Sequence, residues 1–113
     1  TVVCRTSRDF AVWSEPQVIF RSPYRNADPE SPFLIRREGI YYLFWCIYDG
    51  RNGVYDERTF VQAAERLEDL DGHAPVAMLP AHAPEVVESD GEYWLLSAFY
   101  PENGVSAAPL AWR

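Results

Sequence analysis

Residues 31–45, SPFLIRREGIYYLFW, and residues 83–97, APEVVESDGEYWLLS, decide how this chain folds. Each has a proline at its second position, Pro32 and Pro84, and a glycine seven positions later, Gly39 and Gly91. Each then resumes with an aromatic pair and a leucine, Tyr41-Tyr42-Leu43 and Tyr93-Trp94-Leu95, so that every matched residue recurs 52 positions on. Within the first copy, an apolar run, a turn at Glu38-Gly39 and a second run with alternating side chains spell a β-hairpin.

A second landmark keeps nearly the same period. Asn-Gly-Val at 52–54 returns at 103–105, 51 positions later. The segments that follow, NGVYDERTF and NGVSAAPLAW, supply a third strand to each hairpin. A unit of about 50 residues with three or four antiparallel strands has the size of a β-propeller blade. The other arrangement, a small β-sandwich with two similar hairpins, needs the proline, the glycine, the aromatic pair and Asn-Gly-Val to coincide by chance. The expected fold is therefore all-β, built of antiparallel propeller blades. Residues 1–25 are expected to be outer strands of a preceding blade, 26–76 one blade and 77–113 the following blade.

Helical periodicity is weak throughout. The best helical stretch is DERTFVQAAERLEDL, residues 56–70, a turn or two of helix in which Phe60 and Val61 equally suit the end of a strand. Elsewhere short apolar runs alternate with Pro, Gly, Asn and Asp, the pattern of strands and tight turns.

The composition narrows the classes of function. The chain has 113 residues, 48% of them hydrophobic and 15% aromatic, which is a globular composition with a β bias. A formal charge of −7 repels a phosphate backbone, and no basic patch offsets it, so nucleic acid is not an expected partner. No apolar run of about 18 residues is present, so no membrane span is expected. The opening TVVCRTSRDF shows no signal-peptide pattern, yet it starts without Met inside a strand-like run, and the compartment stays open. Cys4 and Cys46 lack metal-ligand spacing and His73 and His82 are the only histidines, so neither a metal nor a cofactor is expected. Both cysteines read as small buried hydrophobes.

The repeat also places the candidate chemistry. Glu30-Ser31-Pro32 and His82-Ala83-Pro84 are equivalent, and each directly precedes the first strand of its hairpin. One unit thus presents a carboxyl and the next an imidazole toward a common axis, where a polar site would form. Taken alone, Glu30 beside Asp28 also suits a solvated turn, and His82 a loop position. The aromatic residues Tyr41, Tyr42, Trp45, Tyr93 and Trp94 are mostly expected in the core between sheets, with sugar stacking the minority role.

These elements, with SRDFAVWSEP ahead of them, resemble the five-bladed β-propeller glycoside hydrolases of the clan joining families 43 and 32. ESPFLIRREGIYYLFW is similar to their Glu-(Gly/Cys/Ser)-Pro blade, SRDFAVWSEP to their Ser-x-Asp-x-x-x-Trp outer element, and HAPEVVESDGEYWLLS with GVSAAPLAW to their fourth blade. The resemblance covers most of the chain, as part of a five-bladed propeller. It implies that Glu30 is the general acid that protonates a glycosidic oxygen, and that His82 lines the site. Ser31, Asp49 and Arg51 are the further candidates for contacting substrate hydroxyls; Asp49 and Arg51 equally suit a hairpin loop. Glu85, at the place of Phe33, is expected to point away from the axis or to line its rim. The implied partners are a carbohydrate substrate and the remaining blades, in the same chain or by oligomerisation. The partner aspartates belong to the first and second blades, which this stretch does not contain. A non-catalytic glycan-binding or self-assembling piece and a propeller phosphorylase therefore stay open beside the hydrolase. Sugar specificity and inverting or retaining stereochemistry are likewise undetermined.

Overall fold

The computed structural model describes residues 1–25, 27–49, 54–99 and 103–112, with the backbone alone at 48–49 and 54–57. The described residues form nine strands and one short 3-10 helix. Strands β1 (Val2–Cys4) and β2 (Gln17–Phe20) make a two-stranded sheet. Strands β3 (Ala27–Arg37), β4 (Ile40–Asp49), β5 (Val54–Ala64) and β6 (Ala77–Leu79) make a four-stranded sheet in chain order. Strands β7 (Glu85–Ser89), β8 (Glu92–Ala98) and β9 (Val105–Pro109) make the third. All pairings are antiparallel, and no sheet closes on itself among the described residues.

The two hairpins are superposable in register. Phe33 faces Phe44 as Glu85 faces Leu96, and the match continues to Arg37 with Ile40 and Ser89 with Glu92. Their turns share a conformation too: Glu38 and Asp90 have φ of 51° and 53°, and Gly39 and Gly91 have 87° and 80°. Two successive positive φ angles match the right-handed twist of the flanking strands in a two-residue hairpin loop. Val54 opens β5 and Val105 opens β9, but Val54 pairs with Asp49 whereas Val105 pairs with Ala98, the repeat equivalent of Cys46, so the two third strands differ in length.

Alternation along β4 gives the middle sheet two buried faces. Leu43 and Trp45 point one way, with Phe60 and Ala64 of β5, and pack against Val2, Ile19 and Phe20 of the first sheet. Trp45 is fully buried there, its ring 4.9 Å from that of Phe20 and 5.0 Å from that of Phe60. Phe44 and Val61 point the other way, onto Val86 and Leu95 of the third sheet, with Tyr42, Tyr93 and Trp112 around them. Tyr41 instead lies half-buried beneath Arg36, and Trp94 is half-buried on the third sheet.

The stretch 56–70 resolves in favour of the strand. Residues up to Ala64 belong to β5, and only Leu67–Asp69 form a helical turn, of the 3-10 type. Phe60 and Val61 point to opposite faces, and each face is buried by a different sheet, which a single amphipathic helix could not supply. Leu70, fully buried, closes the end of the first core. Strand β6 pairs with β5, so the middle sheet extends through Leu79.

Cys46 is fully buried and Cys4 half-buried, and the two are not joined in a disulfide. No helix among the described residues is long and apolar enough to cross a membrane.

Candidate functional site

Glu30 and His82 meet. His82 Nε2 lies 3.1 Å from Glu30 Oε1, across 52 residues of chain, with the two side chains 18% and 25% exposed. The contact joins the two repeat-equivalent positions.

The backbone that places them is equally repeated. Glu30 pairs with Cys46 of β4, after which the register breaks before Phe33 pairs with Phe44. Ser31 occupies the break, half-buried, with φ of 47°. In the following unit the Ala98 amide donates to the His82 carbonyl at 2.9 Å, Ala83 also has φ of 47°, and pairing resumes at Glu85 with Leu96. Left-handed backbone at a residue other than glycine costs about 1–2 kcal/mol, so the surrounding strands must hold it in both copies. Proline at the next position adds no amide that the irregular pairing would leave unsatisfied. The effect is that Glu30 and Phe33, three residues apart, share one face of the sheet, as do their partners Cys46 and Phe44.

Thr59, Ala81, Cys46, Ser97 and Ala98 build the surroundings. The Thr59 hydroxyl, buried on β5, donates to the Ala81 carbonyl at 2.5 Å and so ties the middle sheet to the segment that carries His82. With that hydrogen committed, Thr59 Oγ1 accepts from the Cys46 thiol at 3.5 Å. Ser97 on β8, also buried, takes the His82 amide on its hydroxyl oxygen at 2.9 Å. The Ala98 carbonyl lies 3.2 Å from His82 Nδ1. Main chain and ring of His82 are thus held by β8 while its remaining nitrogen reaches Glu30.

Of the other candidates, Asp49 is the last residue of β4, paired with Ala27 and Val54, and its side chain lies outside the described residues. Arg51 lies wholly outside them. Glu85 is exposed at the start of β7. Sequence reasoning did not single out Thr59 or Ser97, and it read Cys46 only as a small buried hydrophobe. Their role depends on cross-strand pairing, and a threonine, cysteine or serine inside an apolar strand carries no local signal of it.

Among the described residues, no group of three or more His, Cys, Asp or Glu side chains is placed to hold a metal ion. The segment SRDFAVWSEP forms a compact loop remote in sequence from the pair. The Asp9 carboxylate accepts from the amides of Ala11 and Val12 at 2.9 and 3.0 Å and from the Ser7 hydroxyl at 3.2 Å. Those bonds, led by the Val12 and Ala11 amides, hold Asp9 below the usual carboxylate range. Ser7 bridges to Trp13, whose indole donates to the Phe10 carbonyl at 3.3 Å. Serine, aspartate and tryptophan in this spacing therefore have a structural use of their own.

No family model, no curated protein and no solved structure matches this chain.

Proposed function

We propose that the chain is part of a five-bladed β-propeller glycoside hydrolase in which Glu30 is the general acid. The observation that carries the proposal is the Glu30–His82 contact at 3.1 Å between repeat-equivalent positions of adjacent sheets. A half-buried carboxyl at the meeting of two sheets, touched by an imidazole, suits proton transfer to a bound ligand better than a solvated turn does. The matched turns and register of the two hairpins support their being blades, and the three stacked sheets support a larger array.

In the proposed reaction the glycosidic C–O bond breaks and its electron pair goes to the leaving oxygen. That oxygen takes the proton of Glu30, leaving a carboxylate. Water adds its oxygen to the anomeric carbon and loses a proton, directly or by way of a glycosyl-enzyme intermediate. The second carboxyl this requires is assigned to blades other than those described here.

Glu30→Gln in the complete protein tests this against substrates with different leaving groups. On oligosaccharides, whose leaving alkoxides need protonation, kcat is expected to fall by about 10²–10⁴-fold. On activated aryl glycosides, which need little protonation, the fall is expected to be much smaller. Turnover of oligosaccharides at the wild-type rate, or equal losses on both classes, would overturn the assignment. The two outward sheet faces, which carry exposed Val3, Val18 and Val87, favour one alternative, a non-catalytic piece that assembles with other copies.

A further inference from the structure

We infer that Glu30 and His82 act as one couple with a single hydrogen shared between Oε1 and Nε2, which makes His82 the positioning residue of the proposed acid. The catalytic meaning rests on the function proposed above; the proton count rests on geometry alone.

His82 Nδ1 lies 3.2 Å from the Ala98 carbonyl oxygen. A carbonyl oxygen can only accept, so Nδ1 carries a hydrogen. A ring with that hydrogen in place offers Glu30 either a bare Nε2 or, as imidazolium, a second N–H. A bare Nε2 against a bare carboxylate oxygen at 3.1 Å would set two acceptors face to face between half-buried side chains. One hydrogen must lie between them. It sits on the oxygen in a neutral pair or on the nitrogen in an ion pair, and both forms have the same composition. The excluded form has its hydrogen on Nε2 and aims a bare Nδ1 at the Ala98 carbonyl.

The main chain that carries the ring is held in place. Its own amide is held by Ser97 Oγ at 2.9 Å, its carbonyl accepts from the Ala98 amide at 2.9 Å, and Ala81 before it is held by Thr59. The side chain therefore delivers a hydrogen to a fixed place on Glu30. In catalysis the Oε1–H bond breaks with its pair left on the carboxylate and the leaving oxygen takes the proton; the two facing acceptors this leaves regain one hydrogen from solvent before the next turnover, and His82 keeps the hydrogen on Nδ1 throughout.

The test is nitrogen NMR of the His82 ring in the full chain, labelled with 15N at histidine, in neutral buffer. Nδ1 is expected in the range of a protonated ring nitrogen, with Nε2 reporting a shared hydrogen. In Glu30→Gln, whose amide donates to Nε2, the Nδ1 signal is expected to stay and Nε2 to move to the value of a pure acceptor. A wild-type ring protonated on Nε2 and bare at Nδ1 would overturn the couple. In the complete enzyme His82→Phe is expected to lower kcat by about 10–100-fold, with KM within about twofold; a change in KM alone would remove the positioning role. The two proposals fail separately. A shared hydrogen together with full hydrolysis by Glu30→Gln keeps the couple and removes the glycosidase, whereas a bare Nδ1 removes the couple however hydrolysis responds to Glu30→Gln.

Discussion

Thr59 shows how a single hydroxyl can set a site it does not touch. Its bond to the Ala81 carbonyl is buried, so Thr59→Val leaves that carbonyl without its partner at unchanged side-chain volume. The expected cost is about 1–3 kcal/mol of stability, read from denaturant midpoints, together with weaker docking of His82 on Glu30, read from the His82 ring signals. Loss of stability without any change at His82 would confine Thr59 to a structural role. Asp9 gives a pH-dependent counterpart. Its carboxyl is more acidic in the folded loop than in the unfolded chain, because the amides of Val12 and Ala11 bind the charged form. The stability it contributes is therefore present above the unfolded value and lost as pH falls through the lower folded value. Asp9→Asn is expected to flatten the acid limb of a pH–stability profile, and an unchanged limb would show that the loop bonds do not bear on folding.

At the scale of elements, the paired turns are the sharpest test of the repeat. Gly39 and Gly91 have positive φ and open space where a Cβ would stand, so alanine at either place is strained only by its backbone. Gly39→Ala and Gly91→Ala are each expected to cost about 1–2 kcal/mol, and to cost the same within error. A large difference in thermal midpoint shifts would mean that the two hairpins are alike in sequence but not in energetics. This symmetry was legible beforehand because proline, glycine and alternating apolar residues act locally, and both hairpins and both third strands lie where those residues put them. The pairing of Glu30 with His82 was half legible. Their equivalence followed from the spacing, but their contact depends on two bulges and on Thr59 and Ser97, which are set by strands far apart in the chain. The segment 56–70 misled in part because AAERLEDL has good helix formers, while burial of both faces of β5 favours the strand as far as Ala64. Nothing local marks β6, whose three residues are a strand only because β5 has an edge to offer.

The molecule as a whole is a stack of three sheets with the most complete one in the middle. Its outer faces are unlike its inner ones. Val3 and Val18 pair across the first sheet with their side chains exposed, and Val87 is exposed on the third opposite half-buried Trp94. In the repeat Val87 and Trp94 correspond to Ile35 and Tyr42, which the middle sheet covers by packing on the third. On its own the chain is therefore expected to associate, and Val18→Lys with Val87→Lys to shift sedimentation toward the monomer while leaving the β-type circular dichroism intact. An unaltered sedimentation profile would show that these faces tolerate water.

The bulges at Ser31 and Ala83 carry one further consequence. Two identical copies of this unit would bring like against like, acid to acid or imidazole to imidazole, and neither pairs groups of opposite charge. The couple exists because the copies differ at this position, Glu30 against His82, on a shared backbone. The shared backbone supplies the geometry, and the difference between Glu30 and His82 supplies the chemistry. Exchanging the two residues, Glu30→His with His82→Glu, would then ask whether the scaffold is as symmetric as its backbone.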